Sequence, residues 1–136
     1  MYEVRVTAEF AAAHFLRDYH GKCERLHGHN YTVYAHVRGA ELDAGGMLMD
    51  FAVLKGALKT VAGSLDHTNL NDNPAFAQNP SAERIARFIY DRLCVVLAEQ
   101  GVDVRGKHGG TVLCAVDVFE TATSRARYIP DGCSDR

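Results

Sequence analysis

The densest chemistry in the chain lies in "KCERLHGHN", Lys22 to Asn30, which sets Cys23, Glu24, His27 and His29 within seven residues. In an extended strand, side chains alternate between faces, so His-x-His brings two imidazoles to one side while Gly28 points away and adds no bulk. Val4, Val6, Ala8, Phe10 and Ala12 share one parity, and His14 continues it. If these two stretches pair as neighbouring strands, His14, His27 and His29 form the three-nitrogen set that holds Zn2+ in catalytic sites. A fourth position then stays open for water or substrate. A lone His-x-His is more often a pair of turn or surface residues, and the parity of His14 is what favours the metal. His20, His36 and His108 fall in loops or on the opposite strand face and are expected to be solvated.

Cys23 precedes His27 by four residues and has Lys22 and Arg25 beside it. Cationic neighbours and a metal favour the thiolate, which would make Cys23 a base or a nucleophile; the alternative is a half-exposed, inert thiol. Asp66 and His67 are adjacent in a stretch rich in turn formers, where the carboxylate can orient the imidazole for proton transfer. Taken alone, that pair is common. Glu120 ends a run of alternating apolar residues, a place where a carboxylate either caps the strand in solvent or accepts hydrogen bonds from a cyclic, amidine-like ligand edge. Cys94 and Cys114 sit in apolar stretches as core thiols, and Cys133 lies in the polar tail.

The elements that must position these groups follow from periodicity. "YEVRVTAEFAAAH" and "HGHNYTVYAHVRG" alternate as two strands, the second through Tyr31, Val33, Ala35 and Val37. Phe51, Leu54, Leu58, Val61 and Leu65, spaced three and four apart behind Asp50, predict an amphipathic helix with an N-cap. "LDHTNLNDNP" ends it. Pro80 and Ser81 open a second helix carrying Ile85, Ile89, Leu93 and Val96, with Gly101 beyond. After a turn at "KHGG", Val112, Cys114, Val116, Val118 and Glu120 alternate again, and "TSRARYI" supplies a last strand. The order ββααββ implies an α+β domain, an antiparallel sheet with two helices on one face. Neither a cupin barrel, which needs more strands, nor a structural zinc module fits as well. Such a module takes four protein ligands, and no fourth ligand at that spacing is visible.

At 136 residues, 47% of them hydrophobic and only three of them proline, the chain suits one domain over 1–136 with one core. A formal charge of -2 argues against a general nucleic-acid binder, which relies on a basic face. The first ten residues alternate polar and apolar without a continuous apolar run, which predicts a cytoplasmic protein that does not insert in a membrane.

In order and spacing, "FAAAHFL", "CERLHGHNY", "GMLMDFAVLK", "LDHTNLND", "NPSAERIARFIY" and "VFETATSRARY" resemble the 6-pyruvoyltetrahydropterin synthase/6-carboxytetrahydropterin synthase family, from residue 8 to residue 128. The three residues between Cys23 and His27 resemble the bacterial 6-carboxytetrahydropterin synthases of the queuosine pathway, the gap of the pyruvoyl enzyme being longer. The resemblance implies the tunnelling fold, in which subunits join their sheets into a barrel, commonly a homohexamer of two trimers with sites at subunit interfaces. It implies Zn2+ on His14, His27 and His29, Cys23 as catalytic base, Asp66 and His67 as a proton relay, and Glu120 on the pterin ring. The implied reaction converts 7,8-dihydroneopterin triphosphate to 6-carboxy-5,6,7,8-tetrahydropterin, acetaldehyde and triphosphate. Where the family often has two hydroxyl residues ahead of the second helix, Ser81 is followed here by Ala82, a departure that removes one side-chain contact to the pterin and leaves Ser81 to make the other. Glu24, in "ERLHGH", resembles a branch that cleaves the same substrate to 6-hydroxymethyl-dihydropterin for folate synthesis. That activity, a pyruvoyl synthase and a non-catalytic zinc- and pterin-binding module are the alternatives.

Overall fold

The computed structural model describes residues 1–18, 24–106 and 110–133. His20, Lys22, Cys23 and His108, with most of the "KHGG" turn, lie outside the described residues. Strands β1 (Tyr2–His14) and β2 (His27–Gly39) pair antiparallel from end to end, Tyr2 against Gly39 and His14 against His27. Their alternation does what its period dictates: Val6, Ala8, Phe10, Ala12 and His14 of β1, and Tyr31, Val33, Ala35 and Val37 of β2, are buried.

Helix α1 (Phe51–Leu65) starts where the Asp50 carboxylate accepts the Ala52 N–H at 2.8 Å. It lays Leu54, Leu58, Val61 and Leu65 on the sheet. Phe51, expected in that stripe, is instead 58% exposed. Helical side chains lean toward the N-terminus, so the first one points off the end of the helix. Helix α2 (Ala82–Glu99) is capped by Ser81, whose hydroxyl accepts the Arg84 N–H. It buries Ile85, Ile89 and Leu93, and the next core position is Leu97, four residues on, rather than the expected Val96.

Between the helices the expected turn contains a short strand, β3 (Thr68–Asn69), parallel to β1 at Ala12 and Ala13, and two single 3-10 turns, Leu70–Asp72 and Pro74–Phe76. Strands β4 (Val112–Thr121) and β5 (Ser124–Tyr128) complete a five-stranded sheet in the order β3-β1-β2-β4-β5. The architecture is α+β, an otherwise antiparallel sheet with its core packed between one face and the two helices. Among the described residues no helix is long and apolar enough to cross a membrane.

A β-bulge corrects two expectations. Val37 pairs with Leu113 and His36 with Ala115, so Cys114 is an extra residue and the alternation of β4 reverses there. Leu113, not Val112, joins the core, while Cys114 is buried away from it, its thiol 3.3 Å from the His36 carbonyl. Cys94, by contrast, sits in the core as expected. His36 is on the opposite face from the core, but it is not solvated. It is 7% exposed, with Nε2 at 2.7 Å from Asp117 and Nδ1 at 3.2 Å from Glu3.

Candidate metal centre

Full pairing of β1 with β2 decides the geometry of the three histidines. His14 stands opposite His27, and Ala12 opposite His29, so the imidazoles gather at one end of the strand pair. Ring centres are 4.5 Å apart for His14 and His27, 5.2 Å for His14 and His29, and 4.8 Å for His27 and His29. From β4, on the other side of β2, Glu120 brings Oε1 to 3.0 Å from His14 Nε2 and 3.4 Å from His29 Nε2. One donor atom from each of the four residues lies within 4.8 Å of the others. Glu120 thus sets a carboxylate oxygen within reach of the three histidines, which their spacing alone did not reveal. Parity put Glu120 on this face, and that was the signal; the strand order β1-β2-β4 brought it inward.

These side chains fit a metal ion on three grounds. First, the Nε2 atoms of His14 and His29 are buried without a hydrogen bond, an unfavourable state that a cation on their lone pairs removes. Second, His14 Nδ1–H donates to the Pro80 carbonyl at 2.8 Å, and His27 Nδ1–H donates to the Arg25 carbonyl at 2.6 Å. A carbonyl only accepts, so the proton sits on Nδ1 and Nε2 keeps its lone pair for the centre, the usual outer support of a metal-bound histidine. Third, ligands about 2.0–2.1 Å from a tetrahedral ion are roughly 3.3 Å from each other, close to the two Glu120 distances.

Electrostatics agree with the geometry. Burial, opposed in part by the Pro80 hydrogen bond and the Glu120 charge, lowers the titration of His14. Burial also lowers that of His29, against the pull of Glu120. Both favour the neutral, ligating ring. Beneath them, burial first and the Glu120 charge second push the Tyr31 phenol well above its ordinary range.

The remaining candidates are distributed around this centre. Asp66 and His67 form the expected pair, Oδ2 to Nδ1 at 2.8 Å. Asp66 Oδ1 also accepts the Ala11 N–H at 2.8 Å; that bond, then the one to His67, holds its carboxyl below the usual range. The pair is not among the donors that converge on the centre, because it lies at the edge of β1 away from β2. An open depression of about 330 Å³, lined by Ala11, Ala12, Gly28, His29 and Asn30, adjoins one of about 450 Å³ lined by Glu9, Phe10, Ala11, Asn30, Thr32 and Asp66. Shared Ala11 and Asn30 thus connect His29 to Asp66 along the surface. Ser81 neighbours Pro80, the residue that holds His14. Glu24 is exposed three residues before His27. Cys23 lies outside the described residues.

A model of the 6-pyruvoyl tetrahydropterin synthase family matches residues 3–131. A 6-carboxy-5,6,7,8-tetrahydropterin synthase of Bacillus subtilis is 44% identical over 98 residues, 68% of this chain and 65% of that protein, so the match spans just under two thirds of that relative's length. The protein of the same name from Synechocystis is 41% identical over 124 residues, 88% of this chain and 86% of its own. Among solved structures, the 6-pyruvoyl tetrahydropterin synthase of Caenorhabditis elegans superposes with a TM-score of 0.79 at 26% identity, covering 96% of each chain.

Proposed function

This chain belongs to the 6-pyruvoyl tetrahydropterin synthase family, and on that premise we propose that it is a cytoplasmic, zinc-dependent carbon–carbon lyase. It converts 7,8-dihydroneopterin triphosphate and one water to 6-carboxy-5,6,7,8-tetrahydropterin, acetaldehyde and triphosphate, a step toward queuosine. The observation that carries this reading is the convergence of His14, His27, His29 and Glu120 on one point. The names of the Bacillus and Synechocystis relatives support the carboxy product over the pyruvoyl one, as does the short gap from Cys23 to His27.

In this reading His14, His27 and His29 would hold Zn2+, which would supply Lewis-acid chemistry toward the substrate's side-chain oxygens. The chain's own residues do the rest. The Pro80 and Arg25 carbonyls aim His14 and His27 before substrate arrives. Glu120 accepts from the N–H edge of the pterin, and the Ser81 hydroxyl adds a neutral contact. Cys23 takes a proton as general base. Asp66 holds the Nδ1 side of His67 and leaves its Nε2 to pass a proton. Because Asp66 and His67 stand at the outer edge of β1, the reading includes a homo-oligomer, a hexamer of two trimers in which joined sheet edges bring that pair to a site shared between subunits.

The test is mass spectrometry of the products after the purified zinc protein is incubated with dihydroneopterin triphosphate. A carboxylated pterin with acetaldehyde is expected. A 6-hydroxymethyl-dihydropterin product would move the chain to the folate branch suggested by Glu24, a pyruvoyl pterin to the pyruvoyl synthases, and tight pterin binding without turnover to a binding module.

A further inference from the structure

We propose that Tyr31 is a positioning residue of the metal centre: its phenol O–H donates to the Glu120 carboxylate when a cation takes the histidine nitrogens, and so fixes that carboxylate beside the cation. The inference rests on the metal reading of the centre.

Tyr31 follows His29 by two residues on β2 and therefore shares its face. Across β1 its ring stacks on Phe10, centres 4.7 Å apart and 12° from parallel. It meets His14 and His29 edge to face, at 5.8 Å and 5.5 Å. The side chain is wholly buried, yet its hydroxyl has no hydrogen-bond partner. On the other side of β2, the ladder to β4 runs as far as Thr32 with Phe119, and Glu120, the next residue of β4, sets Oε1 against the same two histidines whose rings Tyr31 meets.

A buried hydroxyl without a partner needs an explanation, because burial of an unmade hydrogen bond is unfavourable. Here the ring lies against two histidines of the centre, and the Glu120 carboxylate lies against the same two. A cation on His14 Nε2 and His29 Nε2 removes those lone pairs as acceptors and leaves the Glu120 carboxylate. Two rigid contacts, the Phe10 stack and the histidine edges, already hold the phenol in place. Its hydrogen bond then sets the orientation of a negative charge next to the ion, the role outer groups play around ligating side chains.

Tyr31→Phe removes one oxygen and keeps the ring. Zinc affinity, read by competition with a chromophoric chelator, is expected to fall about tenfold or more. The zinc-free protein is expected to keep or gain thermal stability, since an unpartnered hydroxyl has gone. In a Glu120→Ala background the same substitution is expected to change zinc affinity less than about twofold, because the acceptor is absent. An unchanged zinc affinity in Tyr31→Phe, an equal loss in both backgrounds, or a lower melting temperature of zinc-free Tyr31→Phe overturns the proposal. A parent protein that binds no zinc sinks the metal reading and this inference together, whereas zinc bound equally by parent and Tyr31→Phe sinks only this one.

Discussion

What faces the two nitrogens of a histidine decides what that residue does. His14 and His27 turn Nδ1 to backbone carbonyls and keep Nε2 for the centre, whereas His36 stands between the carboxylates of Glu3 and Asp117. Asp117, 3% exposed, also accepts from Arg127 at 2.6 Å and 3.0 Å. Burial acts to raise its carboxyl, but the hydrogen bonds from Arg127 and His36, with their charges, outweigh burial and hold it below the usual range. The unfolded chain, in which an Asp titrates near about 3.9, thus binds a proton at higher pH than the folded one. This stabilisation is complete above about pH 5 and is lost as pH falls through the lower, folded value. Asp117→Asn is expected to cost roughly 3 kcal/mol at neutral pH, because it breaks a buried ion pair on one side, and to flatten the acid limb of the urea midpoint plotted against pH. Identical acid limbs in parent and variant would remove Asp117 from this role.

At the scale of elements, the segment between the helices places His14 more than its short strand and turns suggest. Asp66 caps the end of α1, and His67 follows with φ 55, a left-handed backbone that histidine tolerates better than bulkier residues do. That reversal lets the His67 N–H reach the Ala11 carbonyl at 2.6 Å and sets Thr68 and Asn69 along Ala12 and Ala13. The chain then delivers Asn71, which is buried. Its Oδ1 accepts the Phe15 N–H at 2.8 Å, and its Nδ2 donates to the Phe15 carbonyl at 3.0 Å. Phe15 directly follows His14, so Asn71 pins the end of β1 where that histidine stands. Asn71→Ala leaves both backbone groups of Phe15 without their partner, which costs about 2 kcal/mol. Urea unfolding is expected to show that loss, and zinc affinity should fall with it as His14 loosens. An unchanged unfolding midpoint would mean that water replaces Asn71 at no cost.

For the whole molecule, the consequential feature is an incompletely covered sheet edge. Ala11 directs its N–H to Asp66 and receives the His67 N–H on its carbonyl, so this parity of β1 turns its backbone groups away from β2. Glu3, Arg5, Thr7 and Glu9 share that parity, and β3 pairs only with Ala12 and Ala13. A long open edge of this kind accepts another strand readily. In the proposed oligomer a second copy supplies that strand. Glu9→Pro removes an outward donor without taking a bond from the ladder to β2. Analytical ultracentrifugation is expected to show a smaller assembly for this variant, with zinc per chain retained. An assembly of parental mass would exclude pairing through this part of β1.

Much of this molecule was legible in the sequence, and the divide between that and the rest is physical. Alternation in β1 and β2, the stripes and caps of α1 and α2, and the placement of three histidines on one strand face depend on residues near one another in the chain, whose geometry is set by the period of a strand or a helix. Spacing also paired Asp66 with His67. No local pattern contained the bulge at Cys114, the two-residue β3, the burial of His36, or Glu120 beside His14 and His29. Each of these depends on which strands lie side by side and on how far one slides along the next. A slip of a single residue would turn every side chain of a strand to the other face. Only the packed core holds the register, and with it the approach of a carboxylate from β4 to histidines on β1 and β2.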